Sequence, residues 1–235
     1  MTDGQFVSES CSGDSLPGIP AANPWDERAE AYRRSPTHRA GPDLDLVVGW
    51  CEPGPGVVAL DVATGGGHVA RRLREAGCSV VSCDPSPGMQ PDVICRAEDL
   101  PFADRSFDVV VTRLAGHHFQ DARAAVAEMA RVSCRLVVVA DMLYLSQAVE
   151  EAQKLRDPSH VRTYTESEWR DFLEAAGLEI EAAEIVGKRH RTEDWLARTG
   201  CEGDDAERVR ALLADRTEGA EWLDLNVVLR ARKTD

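Results

Sequence analysis

The sequence of 235 residues has no long uncharged apolar run, and its first residues do not show a basic stretch followed by an apolar one. A transmembrane helix needs about 20 consecutive apolar residues, and a secretory signal needs that basic-then-apolar order. We therefore expect neither membrane insertion nor export, and we predict a cytoplasmic protein. Internal repeats and coiled-coil heptads are absent as well.

Cysteine patterns that bind metal or build a disulfide framework are also missing. The seven cysteines are an odd number, and none stands in a CxxC or CxxH spacing suited to zinc. Cys78, Cys83, Cys95 and Cys134 lie in or beside segments that we predict to be strands. We therefore expect buried free thiols in a reducing compartment and no metal site.

An excess of positive charge, which a nucleic-acid partner would need, is absent. The chain carries 27 Lys and Arg residues against 41 Asp and Glu residues, a net charge of −14. Such a chain repels a phosphate backbone, so we exclude nucleic acid and favour a small neutral or cationic substrate. A length of 235 residues with 43% hydrophobic residues suffices for one substantial core, so we predict one domain with appendages.

The stretch that organises the chain is VVALDVATGGGHVARRL, residues 57–73. Residues 57–62 are apolar and rich in β-branched side chains apart from Asp61, which predicts a buried strand. Three consecutive glycines then allow the backbone to turn sharply and approach a ligand, and the next helix begins with free amides that face it. The alternative is a tight turn without a ligand. We favour a nucleotide-type binding turn because the flanking strand and helix also fit such a site.

The spacing of small residues in this turn is neither GxGxxG nor a phosphate loop with its lysine. It runs Asp-x-Ala-x-Gly-x-Gly from Asp61 to Gly67 and resembles motif I, (E/D)xGxGxG, of the class I S-adenosylmethionine-dependent methyltransferases. Ala63 stands where the first glycine usually lies. The resemblance implies S-adenosylmethionine as the cofactor, with its amino acid and ribose parts beside Asp61, Ala63, Gly65 and Gly67.

An acidic residue ends the second predicted strand, residues 78–83. The two oxygens of the Asp84 carboxylate can accept hydrogen bonds from both ribose hydroxyls, which a single hydroxyl side chain could not do. The same family places its ribose-binding carboxylate here, so the resemblance assigns that role to Asp84. The alternative is an aspartate that only caps the turn before Pro85.

The adenine side of the pocket departs from the family pattern. The family usually has a helix after the second strand, but PSPGMQ and Pro91 leave no room for one. The run RAEDLPFADRSFD is similar to the family's GDAExLPFxxxxFD, which implies that Ala97 and Glu98 line the cofactor. Arg96 replaces the usual aspartate and has only donors, so either Glu98 or Asp99 takes over this contact or adenine binding is weakened.

The loop after the fourth predicted strand, residues 107–112, begins at Arg113 and contains two adjacent histidines. Ligands of open parallel sheets bind beyond the carboxyl ends of the strands, so these are pocket positions, with Arg113 at the cofactor. In related methyltransferases this loop borders the transferred methyl group. We predict His118 or His117 as a substrate-orienting residue or general base; the alternative, a purely structural role, is the commoner one for a lone histidine.

The N-terminal segments precede the first strand. Residues 1–23 are rich in Ser, Gly, Pro and acidic residues, which predicts a disordered tail ahead of a domain over residues 24–235. Residues 24–50 are interpreted as two helices with a break at Pro36, and they resemble the cap helices of the ubiquinone and menaquinone C-methyltransferases. An aromatic residue of that cap commonly covers the cofactor, so Tyr32 is either such a lid or a surface residue.

The second half of the chain supplies candidate substrate contacts. The segment RDPSHVR offers donors for an anionic group in Arg156, His160 and Arg162, although a basic stretch that pairs with an acidic surface is an equal alternative. Thr165 begins a helix with a capping box. Residues 178–186 predict a sixth strand and residues 225–231 a closing strand, and the helical insertion between them contains Trp195, which is either pocket wall or core.

The order of elements, five β/α units and a terminal strand pair, predicts the fold. We expect an α/β doubly wound, mainly parallel sheet of seven strands with an antiparallel last strand, a methyltransferase-like Rossmann fold with N-terminal cap helices. The resemblance implies methylation of a small metabolite, for example in secondary metabolism, without a metal. Two alternatives stay open: an enzyme of this fold that catalyses a rearrangement or cyclisation, and a non-catalytic binding subunit. A homodimer is one option for its assembly.

Overall fold

A twisted sheet forms the centre of the molecule, and the computed structural model describes residues 24–234; the expected disordered tail lies outside these residues. Along the chain the strands are β1 (Val58–Val62), β2 (Ser79–Asp84), β3 (Val93–Ile94), β4 (Phe107–Arg113), β5 (Ser133–Met142), β6 (Leu178–Arg191), β7 (Thr217–Glu218) and β8 (Glu221–Lys233). Their spatial order is β3-β2-β1-β4-β5-β8-β6, and the short β7 pairs with β8.

The pairing directions confirm the predicted fold class. Strands β1 to β5 run parallel to one another, whereas β8 is antiparallel to both of its long neighbours, β5 and β6. The short β7 is an addition that was not predicted. Strand β1 pairs with β2 on one side and with β4 on the other. At such a switch point the carboxyl ends of the strands border a crevice in which ligands bind.

Helices cover both faces of the sheet. They are α1 (Pro24–Arg34), α2 (Pro36–Arg39), α3 (Pro42–Trp50), α4 (His68–Glu75), α5 (Ala122–Val132), α6 (Gln147–Arg156), α7 (Glu166–Ala175), α8 (Thr192–Ala197) and α9 (Gly203–Leu212). Three helices instead of the predicted two precede β1, because the chain starts a new helical turn at Pro36, a position where proline is favoured. Within residues 24–234, no helix is long and apolar enough to cross a membrane.

Alternate residues of the central strands pack on opposite faces of the sheet. Leu60 and Val110 belong to a core cluster with α5 and α7, whereas Ala59 and Val109 belong to a second cluster with α3 and α4. All four side chains are fully buried, and burial of each large one contributes about 1.5–3 kcal/mol. A sheet covered in this way holds the carboxyl ends of β1 and β4 in fixed positions.

The segment after β2 is short, as its prolines indicated. It holds one 3₁₀ turn, Pro87–Met89, and α1 packs against it. The Asp26 carboxylate accepts hydrogen bonds from the Ser86 hydroxyl at 2.5 Å and from the Gly88 amide at 2.8 Å. A Cβ on Gly88 would lie 2.6 Å from the Cα of Asp26, so this close approach requires glycine. Helix α1 therefore covers the edge of the crevice beside β2.

The last two long strands extend further than predicted. We expected strands over residues 178–186 and 225–231, but β6 and β8 pair from Leu178 with Lys233 to Arg191 with Glu221. Polar residues of the extension face a cavity instead of solvent, so the alternation that marks a half-buried strand is hidden. Beyond the extension, α8 and α9 pack on α6 in a third core cluster, which contains the buried Trp195.

Candidate active site

A cavity of about 390 Å³ lies at the carboxyl ends of the central strands, under the cap helices. Its volume falls within the range of roughly 300–1,000 Å³ that is typical of small-molecule sites. Nine of the eleven residues predicted to bind the cofactor or to act in catalysis line it: Tyr32, Asp61, Ala63, Gly65, Asp84, Ala97, Glu98, Arg113 and His118. The other two, Gly67 and His117, do not line this cavity.

The glycine-rich turn between β1 and α4 forms one wall. Ala63, Gly65 and Gly67 have φ angles of 52°, 52° and 72°, in the left-handed region. This conformation costs an L-residue about 1–2 kcal/mol, which explains why glycine is usual at the position that Ala63 occupies here. Gly67, the N-cap residue of α4, does not line the cavity.

The middle glycine of the turn is constrained by the cap. A Cβ on Gly66 would lie 2.8 Å from Nε2 of His68 and 3.0 Å from the carbonyl oxygen of Tyr32. Nε2 of His68 donates a hydrogen bond to the same oxygen at 3.1 Å. The cap therefore rests directly on the glycine turn at Gly66, which lines the cavity.

The Asp61 carboxylate braces this turn. Its Oδ2 accepts hydrogen bonds from the Thr64 hydroxyl at 2.5 Å and from the Ala70 amide at 3.0 Å. Burial raises the pKa of Asp61 to about 6. The side chain thus ties the turn to the first turn of α4 at the cavity wall.

The Asp84 carboxylate lies at the end of β2 and contacts the glycine turn. Its Oδ2 accepts a hydrogen bond from the Gly65 amide, and its Oδ1 accepts one from the Ser86 amide, both at 2.9 Å. Burial raises the pKa of this carboxyl group. Each carboxylate oxygen retains a further lone pair. Asp84 therefore caps its turn and still has acceptor capacity for two hydroxyl groups in the cavity.

The side of the cavity after β3 contains the arginine that departs from the family pattern. Arg96, Ala97 and Glu98 all line the cavity, and the Arg96 guanidinium lies 3.4 Å from the Glu98 carboxylate. Oε1 of Glu98 also accepts a hydrogen bond from the Gln120 amide at 2.8 Å. The carboxylate that pairs with Arg96 is therefore already held by the loop before α5.

The two adjacent histidines after β4 have different surroundings. Nδ1 of His118 donates a hydrogen bond to the carbonyl oxygen of Ser159 at 3.0 Å, which leaves the lone pair on Nε2. The pKa of His118 is lowered, mainly by burial and to a smaller extent by the nearby His117. His117 instead lies 2.6 Å from the Asp141 carboxylate through Nδ1. Burial raises the pKa of Asp141 to about 7 and lowers that of His117. Of the two, only His118 lines the large cavity.

The cap contributes Tyr32 to the cavity wall and is itself held by Arg113. The Tyr32 ring packs against the rings of Trp25 and His38, with centroids 5.3 and 5.0 Å apart. The Arg113 guanidinium donates to the Asp43 carboxylate through Nε at 2.8 Å and to the His38 carbonyl oxygen at 3.0 Å. Arg113 thus joins the end of β4 to the cap helices.

The three candidate substrate contacts of the segment RDPSHVR lie in three different places. His160 lines the large cavity, and its Nε2 lies 3.3 Å from both oxygens of Glu150. Arg156 lines a smaller cavity. Arg162 pairs with Glu168 at 2.6 Å, half-exposed, and lines neither. In the part of the chain that the structure describes, no group of three or more His, Cys, Asp or Glu side chains is arranged to hold a metal ion.

Several wall residues were not singled out from the sequence. Trp25 lies edge-on to the His118 ring at 4.7 Å, and Ser159 holds its Nδ1. Lys188, Asp224 and Asn226 line the smaller cavity. The sequence provided little indication of them, because they are isolated residues on segments whose place beside β4 depends on tertiary packing.

Comparisons with known proteins identify a family that shares this arrangement. A family model described as a methyltransferase domain matches residues 60–135, the segment with the glycine turn, Asp84 and both histidines. A solved structure from Bacillus halodurans, of a protein assigned as a methyltransferase, has a TM-score of 0.75 and 26% identity. It covers 83% of this chain and 100% of its own. Over residues 60–135 this chain is similar to a methyltransferase domain, and its fold is that of the class I, S-adenosylmethionine-dependent methyltransferases.

Two curated relatives define the extent of the similarity. The uncharacterized methyltransferase YcgJ of Bacillus subtilis is 29% identical over 208 residues, which is 79% of this chain and 82% of YcgJ. The demethylmenaquinone methyltransferase of Beutenbergia cavernae is 40% identical over 89 residues, but the match spans 34% of this chain and only 37% of that enzyme. The similarity to this quinone enzyme therefore covers only about a third of either chain.

The wall of the large cavity fits S-adenosylmethionine, the cofactor of this class. A Cβ at Gly66 would collide with neighbouring atoms, so the turn is kept free of side chains where the cavity meets it. Asp84 has acceptor capacity for ribose hydroxyls, and Ala97 and Glu98 lie farther along the same wall. These residues would hold the cofactor, with Tyr32 in the cap above the glycine turn.

Proposed function

We propose that the methyltransferase domain transfers the methyl group of S-adenosylmethionine to a nucleophilic atom of a small metabolite, and that His118 orients or deprotonates this atom. The observation that carries the proposal is one cavity that joins the glycine turn and Asp84 to a partly buried, neutral histidine. When bound, S-adenosylmethionine supplies an electrophilic methyl group on its sulfonium. The residues of the chain must then align the acceptor, exclude water and accept a proton.

Alignment and exclusion of water come from the cap. Helix α1 is fixed at Asp26 to the 3₁₀ turn after β2, and its Tyr32 carbonyl contacts His68. The edge of Trp25 covers the His118 ring. A covered site holds the reactants in a fixed orientation, which removes much of the entropy cost of bringing them together, and it keeps competing water out.

His118 has the geometry of a proton acceptor. Its Nδ1–H is fixed by the Ser159 carbonyl, so Nε2 carries the lone pair, and its lowered pKa keeps the ring neutral at pH 7. The Asp157 carboxylate accepts a hydrogen bond from the Ser159 hydroxyl at 2.6 Å and favours the charged form of the ring electrostatically. An O–H, N–H or acidic C–H acceptor could pass its proton to Nε2.

Calorimetric titration with S-adenosylmethionine and S-adenosylhomocysteine tests the cofactor half of the proposal. We expect both to bind, and we expect Asp84→Ala to weaken binding by about tenfold or more, because hydrogen bonds to a charged group contribute about 1.5–3 kcal/mol. Asp104→Ala, an exposed carboxylate paired with Arg131, is the control and should bind normally. If the wild-type protein bound neither compound, the proposal would be refuted.

Methyl transfer from labelled S-adenosylmethionine to a panel of O–H, N–H and C–H acids tests the role of His118. His118→Asn retains a donor near the position of Nδ1 but has no atom at Nε2. We expect it to bind S-adenosylhomocysteine normally and to lose about 10²–10⁴-fold in rate if the histidine is the base. A full-rate His118→Asn enzyme would exclude this role. Cofactor binding without any methylated product would instead support a rearrangement or a binding function.

A further inference from the structure

A second, smaller cavity of about 40 Å³ adjoins the large one, and we name it the cationic chamber. Its charged and amide-bearing wall consists of Arg156, Asp157, Lys188, Arg198, Asp224 and Asn226. These residues come from the end of α6, the extended β6–β8 pair and the turn after α8, all outside residues 60–135 that the family model matches. Tyr32 and His118 line both spaces, so the two cavities adjoin at His118.

Two cations of the chamber lack a full counter-ion. In the structure of residues 24–234, the Arg198 guanidinium makes no ion pair or hydrogen bond. Lys188 lies 3.5 Å from the Asp43 carboxylate, which it shares with Arg113 at 2.6 Å. Burial lowers the pKa of Lys188 to about 8, and burial together with the nearby Arg156 lowers that of Arg198 to about 10. Both groups are nevertheless mainly charged at pH 7.

The carboxylates of the chamber do not balance these cations. Asp157, which follows Arg156, already accepts from the Arg28 guanidinium at 3.0 Å and from the Ser159 hydroxyl at 2.6 Å. Burial raises the pKa of Asp224 to about 7, so this group carries only part of a negative charge at neutral pH. The chamber therefore has excess positive charge inside a chain whose net charge is −14.

An unpartnered amide completes the wall. Asn226 is only 1% exposed, and among the described residues neither its Nδ2 nor its Oδ1 has a hydrogen-bond partner. Buried polar side chains almost always have such a partner in proteins. A free amide and a free guanidinium in the wall of one cavity therefore indicate a position that a polar group of a ligand completes.

We propose that the acceptor substrate is a small organic carboxylate and that its carboxylate group binds in the cationic chamber, at Arg156, Arg198 and Asn226. The inference rests on the proposed function and adds the substrate class. A guanidinium matches the two oxygens of a carboxylate, and a group of this size suits a space of about 40 Å³. The nucleophilic end of the substrate then lies toward His118. The net charge had favoured a neutral or cationic substrate, but the substrate meets the local charge of the chamber.

Benzoate and benzamide are matched probes for the chamber, since they differ in charge and hardly in shape. Calorimetric titrations of both are run with and without S-adenosylhomocysteine, on the wild type and on Arg198→Gln, Arg198→Lys and Arg191→Gln. Arg191, an exposed arginine beside Asp194, is the control. We expect benzoate to bind about tenfold or more tightly than benzamide, Arg198→Gln to remove this preference, and Arg198→Lys to retain part of it.

The outcomes separate the two proposals. Equal affinity for benzoate and benzamide, undiminished benzoate binding by Arg198→Gln, or a preference for phenyl phosphate over benzoate would overturn the carboxylate proposal. Failure of S-adenosylhomocysteine to bind would refute the proposed function, whereas a charge-dependent preference for benzoate in the same protein would still support the chamber. Normal binding of S-adenosylhomocysteine by Arg198→Gln serves as the check that this variant is folded.

Discussion

Replacing Gly66 by alanine adds one methyl group where the cap rests on the glycine turn. The φ angle of Gly66 is outside the left-handed region, so alanine is conformationally allowed and the change is steric. The new Cβ would lie 2.8 Å from Nε2 of His68, 3.0 Å from the Tyr32 carbonyl oxygen and 3.2 Å from the Cα of Arg33. Two of these atoms belong to the backbone of α1, which cannot rotate away as a side chain does. The helix must therefore move.

The expected magnitude follows from these contacts. Overpacking of a well-packed site costs about 1–3 kcal/mol, and weakening of the hydrogen bond between His68 and Tyr32 costs about 0.5–1.5 kcal/mol. Relaxation of α1 recovers part of this sum. We therefore expect the free energy of unfolding to fall by about 2 kcal/mol and the cap to open more often.

Chemical denaturation measures the lost stability, and hydrogen exchange of residues 24–39 measures cap opening. Gly65→Ala is the matched control, because its Cβ would have no atom within 4 Å, while its φ of +52° strains the turn at a cost of about 1–2 kcal/mol. We expect both variants to lose stability and only Gly66→Ala to accelerate exchange in the cap. Unchanged exchange in Gly66→Ala would refute the contact between cap and turn.

A substitution at Gly88 tests the second contact that holds α1, the one at Asp26. In Gly88→Ala the new Cβ would lie 2.6 Å from the Cα of Asp26. Because both substitutions displace α1, the double variant with Gly66→Ala should lose less stability than the sum of the single losses. Strictly additive losses would mean that the two glycines do not act on one rigid helix.

Three further predictions concern single side chains. Thr165→Ala removes the N-cap of α7 and its capping box, so we expect a loss of about 1 kcal/mol in urea denaturation, against no measurable loss for the exposed neighbour Ser167→Ala. Asp224 keeps a proton in the folded state up to pH about 7, whereas the unfolded chain releases it near the ordinary pKa of 3.8, so its contribution to stability falls as the pH rises through that window. Relative to the wild type, Asp224→Asn should therefore gain at least about 1 kcal/mol between pH 5 and pH 7; parallel pH profiles would contradict this. Arg96→Asp restores the usual acceptor and should bind S-adenosylhomocysteine more tightly than Arg96→Ala in calorimetry, and equal affinities would exclude an acceptor role at this position.

The parts of the fold that could be predicted are those that local sequence encodes. The strand, glycine turn and helix of residues 57–73 combine β-branched residues, three glycines and a helical pattern within 17 positions. The class of sheet, doubly wound and mainly parallel with an antiparallel last strand, follows from the order of the β/α units and the terminal strand pair. The capping box of Thr165 and Glu168 is equally local, and the structure contains it.

Features that depend on distant contacts were not predictable in the same way. The adjacency of two histidines could not show which of them faces the cavity, because that depends on Ser159 and Asp141, both far along the chain. The docking of α1 depends on Asp26 and Gly88, which are 62 positions apart. The extension of β6 beyond residue 186 was not predicted, because its inward residues face the cationic chamber and are polar.

The two halves of the proposed active site therefore differ in how the sequence encodes them. The cofactor end lies within the segment that the family model matches, residues 60–135, whereas the cationic chamber is assembled from α6, β6, β8 and the turn after α8. Substitutions in the chamber touch neither the glycine turn nor Asp84. If both proposals hold, the acceptor can be changed through Arg198 or Asn226 while the affinity for S-adenosylhomocysteine stays constant, and a methyltransferase fold of this kind can acquire a new substrate without altering its cofactor site.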